Sequence, residues 1–165
     1  MSYLLTADVA KQAVEMVEPI IYTAMGCKLF KRDHLHIVVM DPAAMPINRN
    51  RVTFKSAILY EVSLGNTENW EHDYAKIARS KAQISWWTKL PTHIVQETMP
   101  YILTGVDTKH YGSVVLDGIV VAASGVQPWY DECVSHMVAA ACRAFSIENM
   151  QEDILPSDSD FLGTA

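Results

Sequence analysis

The chain has little cysteine, no long apolar run, no internal repeat and a shortage of positive charge, and each deficit removes a class of protein. Its three cysteines, Cys27, Cys133 and Cys142, are too few and too scattered for a disulfide framework or a zinc knuckle, and a reduced cytoplasm suits them. Cys133 and Cys142 fall in an apolar helical stretch, where thiols act as small core groups. No segment reaches the roughly 20 apolar residues that a membrane-crossing helix requires. The opening stretch MSYLLTADVAKQAVEMVEP lacks the basic start and unbroken apolar core of a secretory signal. The 13 basic against 19 acidic side chains leave a net charge of -6, which repels a phosphate backbone unless cations gather on one surface. The densest basic run, Lys76, Arg79, Lys81 and Lys89, shares its stretch with Glu71 and Asp73, so neither nucleic acid nor a membrane is an expected partner. Phosphate-binding loops, HxxxH and HExxH pairs and the G-x-S-x-G elbow are also missing, so no prebuilt metal site and no ready-made nucleophile are expected.

What remains is a chain of 165 residues, 50% apolar and 19% charged, long enough to bury about two-thirds of its unfolded surface around one core. A single domain is expected over residues 1–146, followed by an acidic tail or arm over 147–165 that holds Glu148, Glu152, Asp153, Asp158 and Asp160.

Thr6 can cap a first helix whose apolar positions Val9, Ala13, Val14, Val17, Ile20, Ile21 and Ala24 fall near helical spacing, with Gly26 placed to end it. Leu35 to Met40 reads as a short buried strand, Asp41 to Arg51 as a loop, and Phe54 to Leu64 as a second strand ended by Gly65-Asn66. Thr67 or Asn69 is expected to cap a helix from about Trp70 to Lys89 that Pro91 stops, with a short helix over Thr92 to Thr98 behind it. Ser113 to Ser124 reads as a hairpin closed by Asp117-Gly118, and Pro128 opens a helix with Val134, Met137, Val138, Ala141 and Phe145 on its apolar stripe. This order predicts an α+β domain, an antiparallel sheet with helices packed on it.

Val38-Val39-Met40-Asp41, the segment AKIARSKA from Ala75 to Ala82, and above all Ser113 to Gly118 followed by Ser124-Gly125-Val126 and Asp131-Glu132 resemble the GlcG/HbpS-like family, a family described as haem-degrading or haem-binding. The resemblance covers most of Thr6 to Phe145. It implies a profilin-like antiparallel sheet flanked by helices, assembly into homo-oligomers, and a role in binding haem or another small ligand beside a catabolic pathway. The chain departs from that pattern in three places. The family's glycine pair after the first strand's aspartate is replaced by PAAMPINRN after Asp41, the glycine-rich approach to the third strand shrinks to Tyr111-Gly112, and Gln127-Pro128-Trp129-Tyr130 stands where smaller residues are common.

The candidate binding residues are Asp41, Ser124, Gly125, Gln127, Trp129, Tyr130 and Glu132, and the candidate acid–base residues are Glu61, His110, Tyr111 and Asp131. Gly125 can let backbone N–H groups converge on an anion or carbonyl oxygen; alternatively it only makes the corner while Ser124 and Asp131 satisfy helix-end donors. His34 and His36, two apart on a strand, put both rings on one face, and His72, His110 or Tyr111 could serve as an axial haem ligand. Trp86 and Trp87 cannot point the same way on a helix, so one ring is expected to leave the core for a subunit contact. The expected function is binding of a small organic ligand or haem-like cofactor. The alternatives are a cofactor-independent isomerase, hydratase or lyase acting on a small aromatic or carboxylated metabolite, and a protein that serves assembly alone.

Overall fold

The computed structural model describes residues 5–44 and 53–153. It shows an α+β fold in which a sheet of order β2-β1-β4-β3 is flanked by helices on both faces, every neighbouring strand pair running antiparallel. The strands are β1 (His34–Met40), β2 (Ile58–Gly65), β3 (Ser113–Leu116) and β4 (Ile119–Ser124); the helices are α1 (Ala7–Gly26), α2 (Tyr74–Thr88), α3 (Thr92–Thr98) and α4 (Pro128–Asp153). Asp117 and Gly118 both take positive φ at the β3–β4 turn, the geometry an Asp-Gly hairpin corner prefers.

Strand β1 is buried at every position, and its two-residue period sorts the core into two layers. Leu35, Ile37 and Val39 join Val9, Ala13, Val14 and Val17 of α1 and Val134 and Val138 of α4 on one face. Val38 and Met40 join Ala78, Ala82 and Trp86 of α2 on the other. His34 and His36 share the face of Val38 and Met40, as their spacing predicts, and pack against Trp70 and Tyr74.

Element boundaries differ from expectation where side chains compete with the backbone. The second strand begins at Ile58, because Thr53 and Ser56 bond to one another and wind Lys55–Ala57 into a 3-10 turn. Helix α2 begins four residues after Trp70: Thr67–Asn69 is a separate 3-10 turn, and the cap is Asp73, whose Oδ1 accepts from the Lys76 amide at 2.9 Å. Helix α4 continues past Ser146 to Asp153, so the expected loop-like tail is helical at its start; residues 154–165, and most of the predicted Asp41–Arg51 loop, lie outside the described residues. Cys142 is buried as expected, but Cys133 is exposed, since its position on α4 faces away from the sheet. Trp86 is 2% exposed with its indole N–H on the Ala44 carbonyl, and Trp87 is 59% exposed. No helix among the described residues is long and apolar enough to cross a membrane.

Candidate functional site

Ser124 ends β4 opposite His36 of β1, and the chain must turn at once to start α4. Gly125 makes that turn at φ +152°, and a Cβ there would lie 2.5 Å from the His34 carbonyl oxygen. The corner is therefore pressed against the first residue of β1, and only glycine fits. The Val126 amide, left over at the start of α4, donates to Asp131 Oδ1 at 3.1 Å. Asp131 thus meets a helix-end donor, as one of the two readings of this corner expects, whereas the Ser124 side chain, expected to do the same, makes no such hydrogen bond among the described residues.

The other oxygen of Asp131 does something the sequence did not disclose. Asp131 Oδ2 accepts from Lys81 Nζ at 2.8 Å, and the same ammonium donates to the Ala123 carbonyl at 2.8 Å. Lys81 is 0% and Asp131 2% exposed, so a charge pair joins α2, β4 and α4 inside the protein. Gly112 makes room for it: at φ +140° a Cβ would stand 2.6 Å from Asp131 Cβ and 2.9 Å from Lys81 Nζ. Ser135 closes the arrangement by donating to the Gly112 and Asp131 carbonyls. Burial pushes the Asp131 carboxyl up to about 6 against the pull of Lys81, and burial likewise lowers Lys81; both partners are drawn toward their neutral forms.

This pair floors a cavity of about 350 Å³ whose walls include Lys31, Arg32, His72, Tyr74, His110 and Trp129. Ser124, Gly125 and Gln127 also line it. Gln127 braces the 28–33 turn: its Oε1 accepts from the Lys31 amide at 3.0 Å and its Nε2 donates to the Leu29 carbonyl at 3.3 Å. The Arg32 guanidinium carbon stands 5.7 Å from the Tyr74 ring centre, and burial raises the Tyr74 phenol. His110 is held below the usual imidazole range by desolvation and then by the Lys81 charge.

Six of the sequence-derived candidates thus meet at one cavity: His110, Ser124, Gly125, Gln127, Trp129 and Asp131. The others are elsewhere. Asp41 lies beyond the far end of β1 from the Ser124 corner, its carboxylate accepting from the Ala43 amide at 2.8 Å. Glu61 on β2 is gripped by Arg79 through two bonds of 2.8 and 2.9 Å, which lowers its pKa, and it stands 3.4 Å from His36. Burial, partly offset by Glu61, lowers His36, whose Nδ1 is 2.8 Å from the Ser63 hydroxyl. Tyr130 packs on Phe30 with ring centres 5.3 Å apart, Tyr111 meets His93 edge to face at 6.3 Å, and Glu132 lies 2.6 Å from His93 Nδ1. None of these five is a wall of the cavity.

Haem, which the family resemblance implies, does not suit this lining. The volume is near the low end of the roughly 300–1,000 Å³ of small-molecule pockets, and Lys31, Arg32 and Lys81 occupy walls where a macrocycle needs broad apolar faces, although His72 and His110 present imidazoles. Among the described residues no group of three or more His, Cys, Asp or Glu side chains is placed to hold a metal ion. Comparison with protein-family models, with curated proteins and with solved structures found no match for this chain.

Proposed function

We propose that the protein binds a small carboxylated organic molecule in the cavity beside Gly125, as a cytoplasmic, homo-oligomeric GlcG/HbpS-like protein accessory to a catabolic pathway. One observation carries the reading: in a chain of net charge -6, the cavity walls hold Lys31, Arg32 and Lys81 against the single carboxylate of Asp131. Asp131 already neutralises Lys81 at 2.8 Å, so Lys31 and Arg32 give the mouth a positive field. Among the described residues the Arg32 guanidinium forms an ion pair with Glu71, 3.6 Å away and 69% exposed, a pairing weak enough for an incoming anion to displace. Trp129 and Tyr74 add aromatic surface for an organic body. The family assignment draws on the Ser124-Gly125-Val126 corner and the order of elements, and the homo-oligomer on exposed Trp87 together with Met16 and Ile20, 63% and 55% exposed on α1.

The test is native mass spectrometry of protein purified from its own host, with an absorption spectrum on the same sample, followed by calorimetric titration with acetate, butyrate and benzoate. A non-absorbing adduct, or saturable binding that weakens with salt, supports the reading; a stoichiometric adduct with a Soret band, or no carboxylate binding at any ionic strength, overturns it.

A second reading, acid–base catalysis of an isomerisation, hydration or elimination, is favoured by one specific feature. Asp131, pushed up to about 6, shares the cavity with His110, an imidazole held below its usual range, so a candidate acid and a candidate base line one pocket. Release of product from a bound hydroxy acid, abolished by His110→Gln, would establish that reading over simple binding.

A further inference from the structure

Strands β1 and β2 bring a hydroxyl, an imidazole and a carboxylate into line. Glu61 and Ser63 alternate with Val62 along β2 and so share a face, and β1 sets His36 directly opposite Ser63. None of the three is a wall of the cavity beside Gly125. His36 Nδ1 is 2.8 Å from Ser63 Oγ, and His36 Nε2 is 3.4 Å from Glu61 Oε2. Arg79, reaching over from α2, holds the same carboxylate through bonds of 2.8 and 2.9 Å.

The direction of each hydrogen bond follows from the protonation states. The Arg79 guanidinium keeps Glu61 below the usual carboxylate range, so Glu61 is ionised near neutrality and can only accept. Burial keeps His36 below the usual imidazole range, against the pull of Glu61, so near neutrality the ring is neutral and carries one N–H. That proton belongs on Nε2, which faces Glu61, and Nδ1 keeps its lone pair. Ser63 must then donate its hydroxyl proton to Nδ1. Hydroxyl to imidazole and imidazole to carboxylate is the polarity of an activated nucleophile. The step to Glu61 is the longer of the two, so Glu61 orients the ring rather than gripping it.

Access and an oxyanion donor come from the place of β2 in the sheet. Among the described residues β2 pairs with β1 alone, so its other side is an open edge. The Asn66 amide donates to the Asp33 carbonyl at 2.9 Å, which makes Asp33–Asn66 a hydrogen-bonded pair. Alternation along an antiparallel ladder then makes His36–Ser63 a non-hydrogen-bonded one. The Ser63 N–H therefore points away from β1, out of the edge, where it can meet the oxyanion of a carbonyl that Ser63 attacks. Ser63 is exposed, and His36 behind it is 4% exposed, so the nucleophile meets solvent while its base is shielded.

We infer that Ser63 is the nucleophile of an acyl-transfer site for small carboxylic esters, with His36 as its base and Glu61, steadied by Arg79, as the residue that positions the ring. Ser63 Oγ bonds to the ester carbonyl carbon as its proton passes to His36 Nδ1. The tetrahedral adduct, its oxyanion on the Ser63 N–H, expels the alcohol, which leaves with that proton. Water then adds to the acyl-serine and gives a proton to His36; the bond from the acyl carbon to Oγ breaks, the acid departs and the proton returns to Ser63. No electrons are gained or lost, and water is the only co-reactant. The site is independent of carboxylate binding in the cavity.

The experiment treats the full chain with a fluorophosphonate, which transfers its phosphonyl group to activated serines, and reads intact mass and peptide maps. Hydrolysis of p-nitrophenyl acetate is followed on the same protein over a pH series. One phosphonyl group on Ser63 is expected, and Ser63→Ala should lose it together with about a hundredfold or more in ester turnover. Both rates should rise with pH as His36, on which the charges of Glu61, Arg79 and Asp73 act, loses its proton, and should level off above its pKa. Glu61→Gln is expected to lower the plateau about tenfold or more and to move the midpoint to lower pH, a shift that a purely structural role would not give. Labelling is mapped on the unaltered protein, so the test does not depend on either variant folding. No labelling, labelling spread over several residues, or turnover in Ser63→Ala equal to that of the parent overturns the assignment. A midpoint that Glu61→Gln leaves in place overturns the role given to Glu61.

Discussion

Replacing Lys81 by methionine tests the internal charge pair directly. Methionine keeps a straight chain of similar volume, so the cavity contribution is small. What is lost is two hydrogen bonds from Nζ, to Asp131 and to the Ala123 carbonyl, each 2.8 Å, and what is left is a carboxylate 2% exposed with no cation beside it. Removing one partner of such a pair costs about 3–5 kcal/mol, a large fraction of the roughly 5–15 kcal/mol that holds a domain together. The cost has a pH signature. Asp131 already titrates at about 6 with Lys81 present, and removing the cation moves it higher. A carboxyl whose folded pKa lies above its unfolded one keeps its proton in the native state after the unfolded chain has lost it. The stability that proton confers is present at low pH and lost as pH rises through the folded value. Urea unfolding followed by tryptophan fluorescence should therefore show Lys81→Met as more damaged at pH 8 than at pH 5. Lys81→Met with Asp131→Asn should recover at least half of the loss at pH 8, because no charge is then stranded. A deficit under about 1 kcal/mol, or one equal at the two pH values, would refute the assignment of this pair as a buried, mutually dependent ion pair.

Gly125→Ala should destabilise by about 2 kcal/mol or more and weaken carboxylate binding, since its Cβ meets the His34 carbonyl at 2.5 Å; chemical denaturation and calorimetry read the two effects. Arg32→Ala should weaken carboxylate binding about tenfold and flatten its salt dependence, with a midpoint of unfolding close to that of the parent because its Glu71 partner is surface-exposed. Glu61→Gln should leave carboxylate affinity unchanged, as Glu61 lies outside the cavity, and should lower the His36 pKa further by removing the group that raises it, visible in an NMR titration of that ring. Trp86→Ala should cost about 3–5 kcal/mol, whereas Trp87→Ala, at a position 59% exposed, should stay within about 0.5 kcal/mol for the monomer and lower the sedimentation coefficient if that ring seats a second subunit.

The sheet was legible because its strands advertise themselves. His34–Met40 and the Ser113–Ser124 hairpin are β-branched runs bounded by Asp-Pro, Asp-Gly and Ser-Gly, and the α4 stripe repeats cleanly at helical spacing. The misplaced boundaries come from competition that periodicity cannot see. Thr53 and Ser56 form a closed local network, and Asp73 outcompetes Thr67 and Asn69 as a cap because only its side chain reaches a free amide of α2. Acidic composition past Ser146 suggests a tail, yet Glu148 and its neighbours are good helix formers, and the helix simply continues to Asp153.

The site was half legible, and the missing half has one cause. Residues near Gly125 in sequence were found because a Ser-Gly corner ahead of a helix is a recognisable backbone signal. Lys31, Arg32 and Lys81 were not, because each reaches the cavity from another element and lysine or arginine on a helix or turn ordinarily means a solvated surface. Lys81 nevertheless stood on the apolar face, in register with Tyr74, Ala78 and Ile84. A cation on a packed face must either lose its charge or find an anion, and Asp131, the acid in the first turn of α4, is the partner it finds. The same reasoning applies to Gly112: a glycine just ahead of β3 is unremarkable alone, but with a buried ammonium and carboxylate to pass it becomes obligatory. Lys81, Gly112, Gly125 and Asp131 therefore stand or fall together, and a chain that kept three of them while changing the fourth would have to rebuild the floor of the cavity.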